Sequence, residues 1–208
     1  MLKNLNIPLF ITFTIIALFF ARAVKSTSDT YWHMAIGRQI AETHQIPTED
    51  KFVYSATNTH FTSTEWLYGL TLFTINKFFG FAGIVILRVL LILAICLFLY
   101  KTFNLLTENL WIKISLLFTV SYSLAYRFYD RPENFSYLFI ALISYLLIHF
   151  IKAKSHSKLL YLTPIIFLIW PNVHPFGLIG FYLMTTYMCL ERQVNLKKIN
   201  KFLIIYRL

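Results

Sequence analysis

The chain has 208 residues, of which 58% are hydrophobic and 13% charged, and its net charge is +10. With about half the usual quarter of charged residues and with 21 Phe, it can neither stay solvated as a disordered chain nor cover the surface of a water-soluble domain. What remains is an all-α, polytopic transmembrane helical bundle, whose excess of Lys and Arg marks loops on one side of a bilayer rather than a nucleic-acid interface.

A membrane-spanning helix needs about 20 mostly apolar residues. In chain order such runs are 7–23, 81–100, 110–126, 135–151, 159–170 and 176–190, the fifth ending at Pro171. A seventh run starts at Phe202 and stops at Leu208, so the chain reads as the N-terminal part of a longer protein. Its start, with Lys3, an apolar stretch and Ala21-Arg22-Ala23, also resembles a signal peptide with an A-x-A cleavage site. The arginine between the alanines favours a retained first span.

The one extensive segment between spans is 24–80. Its spacing predicts an amphipathic helix over about 29–44, an irregular stretch from Pro47, and a second helix over about 64–79. The first sets Trp32, Ile36 and Ile40 along one face; the second carries Trp66, Leu70, Phe73 and Ile75. Both are expected to lie in the membrane interface, apolar face down. Cys96 and Cys189 sit in apolar runs without metal or redox spacing and read as small hydrophobes.

Basic residues set the orientation. With the N-terminus in the cytoplasm, Lys152, Lys154 and Lys158 fall inside, as do Arg192, Lys197, Lys198 and Lys201. Seven of the nine carboxylates then fall outside: Asp29, Glu42, Glu49, Asp50, Glu65, Asp130 and Glu133. The opposite orientation would place both polybasic loops outside.

Four regions carry candidate chemistry, each with a plainer alternative. Asp29 and His33, four apart on a helix, can face one ligand for proton transfer or metal binding; Asp29 is equally a helix N-cap after Ser26-Thr27-Ser28. Arg88 inside the second span can hold a lipid phosphate or an acidic partner, or extend its side chain outward to the interface. Arg127–Asn134 packs two arginines with Asp130 and Glu133, a set suited to a divalent metal ion and a phosphate, or simply to mutual neutralisation. Pro171-Asn172-Val173-His174-Pro175 is a rigid polar turn at membrane depth, in which His174 is a metal ligand, an acid/base group or a hydrogen-bonding hairpin residue. The predicted topology brings Asp29, His33, Glu65, Arg88, Asp130, Arg131, Glu133, Asn172 and His174 to one membrane boundary, as an outward-facing active site requires. Walker, G-x-S-x-G, H-E-x-x-H and G-x-G-x-x-G motifs are absent from the sequence.

Asp29-Thr30-Tyr31-Trp32-His33-Met34-Ala35-Ile36-Gly37, Ile46-Pro47-Thr48-Glu49-Asp50-Lys51-Phe52-Val53-Tyr54 and Glu65-Trp66-Leu67 resemble the first outside loop of bacterial membrane proteins related to the GT-C glycosyltransferases. Arg131-Pro132-Glu133-Asn134-Phe135 and Trp170-Pro171-Asn172-Val173-His174 continue the resemblance. It implies an inner-membrane protein that transfers a sugar from a polyprenyl-phosphate donor to an acceptor on the extracytoplasmic face. It further implies Asp29 as catalytic base or metal-associated group, with His33 and Glu65 beside it and Arg88 or Arg131 on the phosphate. Asp130, Glu133, Asn172 and His174 are then supporting polar groups or ligands of a divalent metal ion. The rival expectation is a non-enzymatic membrane protein, such as a transporter or a lipid-carrier-binding component, with ionisable groups near the midplane.

Overall fold

Long apolar runs separated by short Asn-, Pro- and Gly-bearing turns dictate helices, and helices are what the computed structural model contains. It describes residues 7–21, 27–49, 62–125, 127, 129–153, 162–186 and 189. Among them are seven helices and no strand: α1 (Ile7–Phe20), α2 (Ser28–Thr43), α3 (Trp66–Leu106), α4 (Leu110–Leu124), α5 (Glu133–Ala153), α6 (Thr163–Val173) and α7 (Gly177–Thr186). Every predicted span falls on a helix. By length and apolarity, Trp66–Leu106 and Glu133–Lys152 suffice to cross a membrane. The helices α1, α4, α6 and α7 are apolar but shorter, so two full-length spans stand among the described residues where six were expected. The run from Phe202 and most of both Lys-rich loops lie outside those residues.

Helix ends follow local chemistry. α2 begins one residue before the predicted start, because Thr27 rather than Asp29 is its N-cap. The Thr27 N–H donates to Thr30 Oγ1 at 3.3 Å, the reciprocal half of a capping box. His44 closes α2 in the left-handed conformation, its N–H on the Ile40 carbonyl, as such caps do. Asn109 caps α4 by accepting from the Trp111 and Ile112 N–H groups. Pro171 does not end α6, as its position in the sequence suggests: it removes one N–H from the last turn, and the helix runs on to Val173.

Gly80 is the decisive bend. Its φ of 61° and ψ of −163° belong to a region open essentially to glycine, and they divide α3 into halves 66–79 and 81–106. These are the predicted second loop helix and second span. α3 is the hub of the bundle, touching α1, α2, α4, α5 and α6. Leu9, Ile16 and Phe20 of α1 pack with Ile92, Ile95 and Cys96 of α3, Leu117 of α4 and Ala141 of α5. Further along, Tyr68, Leu72 and Ile84 of α3 meet Val173 of α6, and Ile143 and Leu147 of α5 meet Ile166 and Trp170 of α6.

The buried stripe of α2 is Thr30, His33, Ile36, Gly37 and Ile40. It is spent on the first half of α3 and not on a membrane surface, and Trp32 is only half-buried. On α3 the buried residues of that half are Tyr68, Gly69 and Leu72, in place of the expected Trp66, Leu70 and Phe73. The cause is the backbone contact of Gly37 and Gly69: a Cβ on Gly37 would overlap the Gly69 carbonyl, and one on Gly69 would lie 2.7 Å from the His33 carbonyl oxygen. Gly37→Ala is therefore expected to cost about 1–3 kcal/mol by overpacking, read as a lowered thermal unfolding midpoint in detergent. An unchanged midpoint would show that the two backbones do not meet.

Candidate functional site

One end of the bundle gathers the polar residues. The turn before α5 is closed by its own backbone and side chains: the Arg131 N–H donates to the Tyr129 carbonyl at 2.9 Å, and Asn134 Nδ2 donates to the same oxygen at 2.6 Å. Two buried contacts anchor this turn. Arg88, on the second half of α3, places Nη1 3.3 and 3.4 Å from the two oxygens of Asp130. Thr30 of α2 donates to the Asp130 carbonyl at 3.2 Å. Arg88 and Asp130 are both buried, so the Arg88 head group is turned to Asp130 and does not extend outward to an interface. Burial raises the Asp130 carboxyl above its usual value, and the guanidinium opposes that shift.

Beyond this pair lies an open recess of about 230 Å³ lined by Asp29, Trp32, His33, Glu65, Arg131, Pro132 and Glu133. Arg131 stands over it, Nη2 at 3.3 Å from Asp29 and Nη1 at 3.8 Å from Glu133. Asp29 is free for this contact because Thr27 does the capping. It is half exposed, at the rim.

Glu65 sits deeper, just before α3. One oxygen lies 3.4 Å from His33 Nε2 and the other 3.7 Å from His174 Nε2. His33 is fixed by edge contacts with Trp32 and Tyr68, ring centroids 4.9 and 5.0 Å away. Burial lowers its pKa to about 4, with Asp29 opposing the shift and His174 adding to it. Burial, then the neighbouring Glu133 and Asp29 charges, push Glu65 up to about 7. His174 is lowered, chiefly by burial. On its far side His174 Nδ1 lies 2.8 Å from Ser136 Oγ, which accepts from Trp170 Nε1 at 2.7 Å. The remaining candidate, Asn172, accepts from Trp66 Nε1 at 2.9 Å and donates to the Leu168 carbonyl. It splices α6 to α3 and does not line the recess.

The recess thus unites five of the nine candidates, Asp29, His33, Glu65, Arg131 and Glu133, with His174 directly behind Glu65. Arg88 and Asp130 do not line it; they anchor the turn that carries Arg131. Sequence reasoning missed Thr30, Ser136 and the indole of Trp170 as polar partners; only Thr30 carried a signal, as the fourth residue of the Thr27 capping pattern. The expected divalent-metal site does not fit. Asp130 is taken by Arg88, Asp29 and Glu133 share Arg131, and among the described residues no three His, Cys, Asp or Glu side chains are grouped to hold a metal.

Removing one member of the buried pair tests how it anchors the turn. Arg88→Leu leaves Asp130 uncompensated and is expected to cost about 3–5 kcal/mol, with most of that loss recovered in the Arg88→Leu/Asp130→Leu double variant, by denaturant unfolding in detergent. The recess makes a second, pH-dependent prediction. Glu65 binds its proton more tightly when folded, so its contribution is lost as pH rises from 4.5 to about 7. His33 binds its proton less tightly when folded, so its contribution is lost as pH falls from 6.5 to about 4. The two oppose each other in the parent chain. Glu65→Gln should leave the His33 trend alone, so its melting temperature should fall more steeply than the parent's on acidification through that window. No family model, curated protein or solved structure matches the chain.

Proposed function

We propose that the chain belongs to a multi-pass membrane glycosyltransferase of GT-C type, which moves a sugar from a polyprenyl-phosphate donor to an acceptor on the extracytoplasmic face. The observation that carries this reading is the recess, where carboxylates, imidazoles and a guanidinium converge at one end of an apolar helical bundle. Support for a bilayer comes from the helix faces themselves. Phe10 and Leu18 of α1, Leu168 of α6, and Leu178 and Tyr182 of α7 are all exposed. Apolar side chains turned outward on several helices call for an apolar surrounding.

In this reading the recess opens toward the cell exterior and the N-terminus faces the cytoplasm. Arg131 is the phosphate-facing cation, since it is part-exposed and lines the recess, whereas Arg88 is buried against Asp130. Its contacts with Asp29 and Glu133 are at the surface, where ion pairs contribute little, so a phosphate can take the guanidinium without a large loss. A carboxylate removes the acceptor's hydroxyl proton as the sugar–phosphate bond breaks.

The test uses membranes carrying the chain and a polyprenyl-phosphate donor bearing a labelled sugar. Transfer of label to a second molecule is expected, reduced roughly tenfold or more in Arg131→Ala, the worth of one charge-assisted contact. Donor retained on the protein without transfer would favour a lipid-carrier-binding component instead. Absence of both donor binding and transfer would overturn the reading.

A further inference from the structure

We infer that Glu65, set between His33 and His174, is the proton acceptor of the recess, and that the molecule it serves presents a hydroxyl group. This rests on the glycosyl-transfer reading and names the residue and the acceptor chemistry within it.

The four carboxylates at this end of the bundle are not equivalent. Asp130 is buried on Arg88. Asp29 and Glu133 both lie on Arg131. Glu65 has no arginine within ion-pair distance among the described residues; its contacts there are two histidine rings. Asp29, the acidic residue that the family resemblance singles out, stands instead at the half-exposed rim against Arg131. Its position suits it to hold Arg131.

The histidines also fix where Glu65 points. Trp170 has only an N–H to give, so Ser136 Oγ accepts from it; this assignment directs the Ser136 proton to His174 Nδ1, 2.8 Å away. Neutral His174 then carries its proton on Nε2, the nitrogen facing Glu65. His33 approaches the other oxygen. Both carboxylate oxygens are oriented by buried rings while the group still lines the recess. Every charged neighbour that faces it favours the proton-bound form or is distant from it in role: Asp29 of α2 and Glu133 of α5 repel its charge, and Arg131 is engaged by those same two groups.

The step balances without a co-reactant. The acceptor oxygen forms a bond to the anomeric carbon as the bond from that carbon to the phosphate oxygen breaks. The electron pair leaves with the phosphate, opposite Arg131. The hydroxyl proton passes to Glu65, which becomes a neutral carboxylic acid and later returns it to water through the open recess. His174 and Ser136 are positioning residues.

The experiment uses the whole chain in lipid vesicles with ¹³C-labelled glutamate and has two readouts. Infrared spectroscopy should show a protonated glutamate carbonyl band that titrates near neutral pH and vanishes in Glu65→Gln. Asp29→Asn, which removes a neighbouring negative charge, should shift that titration to lower pH, and His174→Asn should displace it as well. Transfer from a labelled polyprenyl-phosphate sugar should fall roughly a hundredfold or more in Glu65→Gln, the usual worth of a general base, at unchanged thermal stability near pH 5. Glu65→Asp should restore part of it. A band that survives in Glu65→Gln, or a variant that keeps more than a tenth of parental transfer, would overturn the assignment while sugar transfer itself stands. A parent chain that shows the titrating band yet transfers no sugar would instead overturn the glycosyl-transfer reading and the base role with it.

Discussion

The buried contact between Arg88 and Asp130 is the constraint on which the recess depends. Arg88 sits on the central helix α3, and Asp130 sits in the turn that presents Arg131 and Glu133. One guanidinium nitrogen spanning both carboxylate oxygens therefore fixes the height and angle of that turn. Thr30 adds the third point by donating to the Asp130 carbonyl, which ties in α2 and with it Asp29 and His33. A buried ion pair of this kind contributes little net stability. Its value lies in geometry, because breaking the pair leaves a buried charge uncompensated.

Charges consequently fall into two classes. Arg88 and Asp130, which anchor the turn, are buried against each other. Those around the recess are partly open to solvent and held by weaker, longer contacts, with Arg131 between Asp29 and Glu133 and Glu65 between two imidazoles. Such weaker contacts are what a ligand can displace. A site whose turn is anchored from behind and whose walls exchange partners can bind an anion and a hydroxyl in turn without reorganising the helices behind it.

Much of this was legible in the residues. Apolar run lengths and amphipathic spacing located the helices, while the Gly80 bend between the loop helix and the span emerged only in the structure. Sidedness of charge gathered Asp29, His33, Glu65, Asp130, Arg131, Glu133 and His174 at one end. What the pattern could not supply was pairing. Whether Arg88 meets a lipid phosphate or Asp130 depends on how far the turn before α5 descends along α3, a tertiary distance with no local signal. The role of Asp29 turned on two residues of register, since Thr27 caps α2 in its place. The apolar stripe of α2 looked suited to a membrane surface because an amphipathic helix reads the same whether lipid or protein covers it. Only the facing glycines, Gly37 and Gly69, distinguish the two cases, and they lie 32 positions apart.

That glycine pair has a mechanical corollary. Where two helices touch through their main chains, no intervening side chains can change rotamer to let one slide over the other. α2 and the first half of α3 therefore move as a single plank carrying Asp29, His33 and Glu65 together.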